Sequence, residues 1–193
     1  MRSQNLAAYF TESAKVLDLA RAAWSDELVE EAFSVCVTGL RGGKPILVCG
    51  NGGSAADAMH FTAELVGRFL LRRQALNVIC LSSNPALLTA WANDYTYDTV
   101  FSRQVEAYGE PGAVLIGIST SGNSQNVVRA FERAQEMGMK TISLTGEGGG
   151  KLAALSDYLF AVPSSSTPLI QQTHTCLYHY LCRAIEEKLA ECA

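Results

Sequence analysis

Five short apolar runs punctuate this chain, and segments of helical period separate most of them. The runs are KPILVCG (44–50), ALNVICLS (75–82), GAVLIGIST (112–120), KTISLTG (140–146) and DYLFAVP (157–163). Each is too short for a buried helix and too continuously apolar for a strand with one wet face. Buried strands that alternate with helices form a parallel sheet covered on both faces. Residues 5–22 and 26–41 show apolar spacings of three and four, which predict two helices ahead of the first strand. Ser25 and Asp26 are placed to cap the second. A long helix is expected over 168–191, after the serine-rich stretch Ser164–Pro168. Neither an internal repeat nor a linker divides the 193 residues, which are read as one domain, 1–193.

Two strand ends are unusual in kind. VCGNGGS (48–54) and ISTSGNS (118–124) each close a strand with small polar residues and open a helix. A helix N-terminus offers unsatisfied N–H donors and a partial positive charge, so it attracts anions. Glycine lets the backbone come close to a ligand. In doubly wound sheets, ligands sit at the carboxyl ends of strands near a topological switch point. Two such loops suit a ligand with a phosphate and several hydroxyls, although ordinary strand-to-helix turns use the same residues.

The helix expected after Ser54, SAADAMHFTAELVGRF, carries Asp57, His60, Glu64 and Arg68 three or four apart, on one face. Ser54 and Asp57 have the spacing of a capping box. His60 and Glu64 at i, i+4 can share a divalent metal such as zinc. A solvated polar stripe with a Glu–Arg pair is the commoner use of this spacing. There are only three histidines, and the other two, His174 and His179, lie in the terminal helix. Gln171 and His179 are eight residues apart, ~12 Å along a helix axis, a long reach for one ion. His174 points elsewhere on the helical wheel and is read as structural. Asn93 and Asp94 follow a short helical segment and suit either a turn or the hydroxyls of a polyol.

Bulk properties narrow the classes. Hydrophobic residues make up 48%, which excludes disorder. A net charge of −4 gives no electrostatic reason for a nucleic-acid ligand. No apolar run is long enough to span a bilayer. The segment MRSQNLAAYFTESAK lacks the apolar core of a signal peptide, so a cytoplasmic protein is expected. The six cysteines, Cys36, Cys49, Cys80, Cys176, Cys182 and Cys192, form no CxxC pair and are read as reduced thiols. Leu169, Ile170, Leu177, Tyr178 and Leu181 of the terminal helix, with the two N-terminal helices, suggest more apolar surface than a monomer needs, and hence a homo-oligomer.

The segments CGNGGSAADAMHFTAEL (49–65), AND (92–94), GISTSGNSQNVVRA (117–130), GMKTISLTGEGGG (138–150) and IQQTHTCLYH (170–179) together resemble the sugar isomerase (SIS) domain superfamily. Within it, the chain is similar to the phosphoheptose isomerases, which act on sedoheptulose 7-phosphate. The resemblance implies a three-layer α/β/α sandwich with a five-stranded parallel sheet, a flavodoxin-like fold. It implies conversion of sedoheptulose 7-phosphate to glycero-manno-heptose 7-phosphate, an opening step of nucleotide-heptose synthesis, and a homotetramer with sites at subunit interfaces. By position it assigns substrate contacts to Asn51, Gly52, Gly53, Glu64, Asn93, Asp94, Ser119, Thr120, Ser121, Ser124 and Gln171. It assigns a zinc ion to His60, Glu64, Gln171 and His179, and acid–base roles to Glu64 and His179. The family commonly has Arg, an acidic residue and, in some relatives, Asp where this chain has Leu169, Gln172 and Pro168. One non-catalytic SIS group, which binds the bacterial replication initiator, lacks a carboxylate at the place of Glu64; this chain keeps it, which favours the enzyme. A sugar-phosphate sensor with the same loops is the remaining alternative.

Overall fold

The computed structural model describes residues 5–190. Its sheet has five parallel strands: β1 (Ile46–Gly50), β2 (Val78–Cys80), β3 (Val114–Ser119), β4 (Lys140–Thr145) and β5 (Tyr158–Ala161). Their order is β2-β1-β3-β4-β5. Chain order reverses between β1 and β3, where Gly50 pairs with Ile118 at the carboxyl ends. That is the switch point at which a doubly wound sheet opens a crevice. Both polar loops singled out from the sequence leave the sheet there.

The helices are α1 (Leu6–Ala23), α2 (Asp26–Arg41), α3 (Gly53–Val66), α4 (Pro85–Asp94), α5 (Val100–Tyr108), α6 (Gln125–Glu136) and α7 (Thr167–Ala190), with short 3₁₀ turns at Tyr97–Thr99 and Gly150–Leu155. Alternate residues of each strand point to opposite faces. Ile46, Val48, Ile116 and Ile142 pack under α2, α3 and α7, while Leu47, Cys49 and Leu115 pack under α5 and α6. The result is the expected three-layer sandwich. Ser25 caps α2 by accepting the Leu28 N–H at 3.1 Å.

Three expectations change. The apolar residues of α7 are not spare surface. Leu169, Ile170, Leu177, Tyr178 and Leu181 are all buried within the chain itself, against the sheet and against α1, α2 and α3. Exposed apolar side chains include Leu6, Phe10 and Leu19 on α1, Met59 and Val66 on α3, Leu70 and Leu71 beyond it, and Tyr180 on α7. The second change is at the start of α3. Its N-cap is Gly52, without a side-chain cap bond, and Ser54 is already inside the helix and buried. The capping box therefore does not form. Third, α3 ends at Val66 with Gly67 as its C-cap, so Arg68 lies beyond the helical face. Glu64 pairs with His60, not with Arg68.

Cys36, Cys49, Cys80 and Cys182 are buried free thiols and Cys176 is exposed; Cys192 lies outside the described residues. Burial pushes the Cys36 thiol up to about 12, which keeps it protonated. Two of the departures from the family pattern are occupied by local packing. Leu169 joins Val16 and Val162 in a small core, and Gln172 donates to the Tyr9 hydroxyl at 2.9 Å.

Candidate active site

Helices α3 and α7 lie side by side, and their facing residues form the polar end of the crevice. One turn of α3 brings His60 Nε2 to 2.9 Å from Glu64 Oε1. From α7, His179 completes a group whose ligand-type atoms all lie within 4.8 Å of one another. The His60 and His179 rings meet edge to face, with centroids 5.0 Å apart. Phe69, just beyond α3, stacks on the other side of His179 at 5.7 Å. Burial holds the His179 imidazole below its ordinary pKa, and His60 adds to this while Glu64 opposes it. This favours the neutral form of the His179 imidazole, which can pass a proton or bind a cation.

What fixes this end is a buried clamp. Glu186 of α7 accepts the backbone N–H groups of Phe69, Leu70 and Leu71 at 2.9, 2.6 and 2.8 Å. Its other partner is Arg73, with Nε 3.1 Å from Oε1. The same guanidinium donates to the carbonyls of Glu64 and Gly67, which α3 leaves open at its C-terminus. Arg73 thus holds α3, and Glu186 holds the segment that carries Phe69.

At the opposite end of α3, the Gln171 side chain covers Gly53 so closely that any Cβ there would collide with its amide. Only glycine fits. Gly53 is seven residues before His60, ~10 Å of helix rise. Gln171 thus touches the start of α3, and His60, Glu64 and His179 gather farther along it. Asp57 and Tyr178 lie between the two ends; burial pushes the Asp57 carboxyl up and the Tyr178 phenol up.

The loop after β1 is tied to its neighbours through Asn51. Asn51 and Asn126 exchange two amide hydrogen bonds of 2.9 Å, and Tyr97 Oη donates to Asn51 Oδ1 at 2.9 Å. One side chain thereby connects the β1 loop, the start of α6 and the turn after α4. Asn93 and Asp94 are the last two residues of α4, both exposed, and share a 2.9 Å hydrogen bond. They form no turn of their own.

After β3, the Ser119 hydroxyl lies 3.0 Å from that of Ser124 and 3.5 Å from that of Ser121. Ser124 is the N-cap of α6 but makes no side-chain cap bond. Its hydroxyl faces the loop, and the first turn of α6 has no side-chain acceptor from its cap. Gly122, at φ +63°, touches the backbone of Gly149 in the loop after β4, where a Cβ has no room. Hydroxyls gathered over an uncapped helix N-terminus suit a phosphate.

His174 is fully buried on another face of α7. Its Nε2–H donates to the Thr145 carbonyl at 3.0 Å, and Nδ1 has no partner. Burial lowers its pKa to about 4.

With this geometry in view, comparison with known proteins is decisive. The SIS domain family profile matches residues 8–146. The chain is 52% identical over 164 residues to a phosphoheptose isomerase of Helicobacter pylori (strain P12), covering 85% of each chain. This chain belongs to the SIS domain family, among the phosphoheptose isomerases. The structure of a phosphoheptose isomerase from Neisseria gonorrhoeae superposes with a TM-score of 0.88 at 43% identity, over 94% of this chain and 97% of that one. A second, from Francisella tularensis, gives 0.89 at 35% identity, over 94% and 96%. The SIS fold thus accounts for the strand order and for the pair of loops at the switch point.

Sequence reasoning missed Asn126, Tyr97, Tyr178, and the Arg73–Glu186 clamp. Asn126 stands two residues after Ser124, but nothing in a linear pattern shows that it faces Asn51, 75 residues away. Tyr178 was visible only as an apolar position, since helical period reports the ring and not the hydroxyl.

Proposed function

We propose that this chain interconverts sedoheptulose 7-phosphate and glycero-manno-heptose 7-phosphate through an enediol, and that the product feeds nucleotide-heptose synthesis. The observation that carries the reading is the meeting of Glu64 and His179, a carboxylate and an imidazole, within 4.8 Å on α3 and α7, with α3 opening from the polar loop at the switch point. Aldose–ketose isomerisation needs a base at carbon and a proton carrier at oxygen, both placed for a developing oxyanion. Glu64 takes a proton from C1 of the ketose, exchanges it with water, and delivers a proton to C2. His179 moves the proton between the two oxygens. Ser119, Thr120, Ser121 and Ser124 hold the phosphate over the start of α6, and Asn51, Gly52, Gly53, Asn93, Asp94 and Gln171 hold the hydroxyls of the open chain.

Two imidazoles and a carboxylate fit zinc by donor chemistry, so we assign a zinc ion to His60, Glu64 and His179. The family resemblance supplies Gln171 as the fourth ligand. A bound zinc supplies Lewis-acid polarisation of the substrate carbonyl. We also infer a cytoplasmic homotetramer: Leu6, Phe10 and Leu19 are exposed on α1, beside an apolar groove lined by Leu17, Trp24, Phe33, Leu177 and Tyr180. No helix among the described residues is long and apolar enough to cross a membrane.

The test is incubation of the purified protein with sedoheptulose 7-phosphate in deuterated water, followed by NMR. An aldoheptose 7-phosphate labelled with deuterium at C2 supports the enediol route. No conversion, with tight binding of the sugar phosphate, favours a sensor.

A further inference from the structure

Behind His60, away from Glu64, stands the hydroxyl of Tyr178. Its oxygen is 3.0 Å from His60 Nδ1, and the ring is 2% exposed, packed in the core between α3 and the sheet. The Tyr178 ring also meets the rings of His60 and His179 edge to face, at 5.5 and 4.9 Å. Asp57 and Thr175 stand beside the Tyr178 hydroxyl, and Asp57 Oδ2 is buried with no hydrogen-bond partner.

The donor–acceptor logic is restrictive. A carboxylate accepts only, so at 2.9 Å Glu64 accepts the hydrogen bond of His60 Nε2–H. Nδ1 of a neutral His60 then accepts from Tyr178. When Nε2 binds a cation it carries no proton, and Nδ1–H must donate. A hydroxyl serves both arrangements, because it donates and accepts. A backbone carbonyl would serve only the second.

We infer that Tyr178 is a positioning residue for the metal centre: it holds the His60 ring at the angle and in the tautomer that present Nε2 to a divalent cation beside Glu64 and His179. This rests on the reading of His60, Glu64 and His179 as a zinc site. Partners behind a ligating histidine are worth about 10–100-fold in metal affinity, and Tyr178→Phe removes only the hydroxyl while keeping the packed ring.

The experiment is zinc affinity of the metal-free protein by chelator competition, for the wild type, Tyr178→Phe and Tyr108→Phe. Thermal melting of each metal-free protein is recorded alongside. Tyr108 is an exposed tyrosine at the end of α5, remote from this network. The expected result is zinc binding by the wild type and by Tyr108→Phe, at least tenfold weaker binding by Tyr178→Phe, and an unchanged melting temperature without metal. Wild-type protein that binds no zinc overturns the metal site itself. Wild-type binding with Tyr178→Phe within twofold overturns the role of Tyr178 and leaves the metal site standing. Weakening that comes with a matching fall in the metal-free melting temperature also overturns it, since the hydroxyl would then act on packing alone.

Discussion

Replacing Glu186 by alanine should be among the most damaging single changes outside the reacting groups. The carboxylate is 1% exposed and its partner Arg73 is 4% exposed. Three backbone N–H groups and one guanidinium converge on it. Hydrogen bonds to a charged acceptor contribute roughly 1.5–3 kcal/mol each. A plain sum overstates the loss, because Leu70 and Leu71 are exposed and water reaches their freed N–H groups in the variant. What water repairs poorly is the Arg73 charge, left buried without its counter-charge. Removing one partner of a buried pair costs about 3–5 kcal/mol, and that is the expected loss for Glu186→Ala. In a chain of this size each kcal/mol lowers Tm by about 2–4 °C, so the melting temperature should fall by roughly 6–20 °C. Urea unfolding followed by circular dichroism measures the loss directly. Burial alone would raise the Glu186 pKa, but the N–H groups of Leu70, Leu71 and Phe69, with Arg73, hold it below the usual carboxylate range. The stabilisation is therefore present above the ordinary carboxylate pKa and is lost only as the pH falls through that lowered value. Because Glu186 anchors the segment carrying Phe69, and Phe69 stacks on His179, turnover should fall as well. A loss below about 1 kcal/mol would refute the reasoning, since the clamp would then be a surface-grade ion pair.

Other expectations follow from the same geometry. Ser121→Ala and Ser124→Ala should each weaken binding of the phosphorylated sugar by ~1 kcal/mol or more, read by calorimetry; unchanged affinity would place the phosphate elsewhere. His174, with its pKa lowered to about 4 by burial, should destabilise the fold as the pH falls from the ordinary histidine value of about 6.5 to 4, by roughly 3 kcal/mol in full. His174→Gln should remove that component of the acid-unfolding profile and keep turnover within about tenfold; an unaltered profile would contradict the assignment. Light scattering at micromolar concentration should report a tetramer, and a stable, active monomer would rule out both the assembly and a shared site.

How much of this was legible in the chain depended on the range of the interaction. The strands were legible because each apolar run is continuous and bounded, as in GAVLIGIST, where β3 occupies Val114–Ser119. The two polar strand-end loops were legible because glycine and serine at a strand end carry a local meaning. So was the His60–Glu64 pair, since i, i+4 spacing is itself a contact. Tertiary partners left no such trace. The periodicity of α7 showed an apolar face without saying what covers it, and the chain's own sheet does so. Glu186 carries no pattern in the sequence that singles it out, yet it closes on residues more than 110 positions earlier. The capping box at Ser54 failed for a related reason: the helix starts sooner, with Gly52 as its N-cap at φ +55°, so Ser54 is already inside it.

The account turns on Glu64 as the group that moves the proton between C1 and C2. The most direct measurement is kcat of Glu64→Gln on sedoheptulose 7-phosphate, with folding checked by circular dichroism. Glutamine keeps the shape and removes the basic carboxylate. General acid–base steps contribute roughly 10²–10⁴-fold, so kcat should fall by at least ~10²-fold with the fold intact. Turnover within about tenfold of wild type would contradict the central claim and transfer the proton step to a different group.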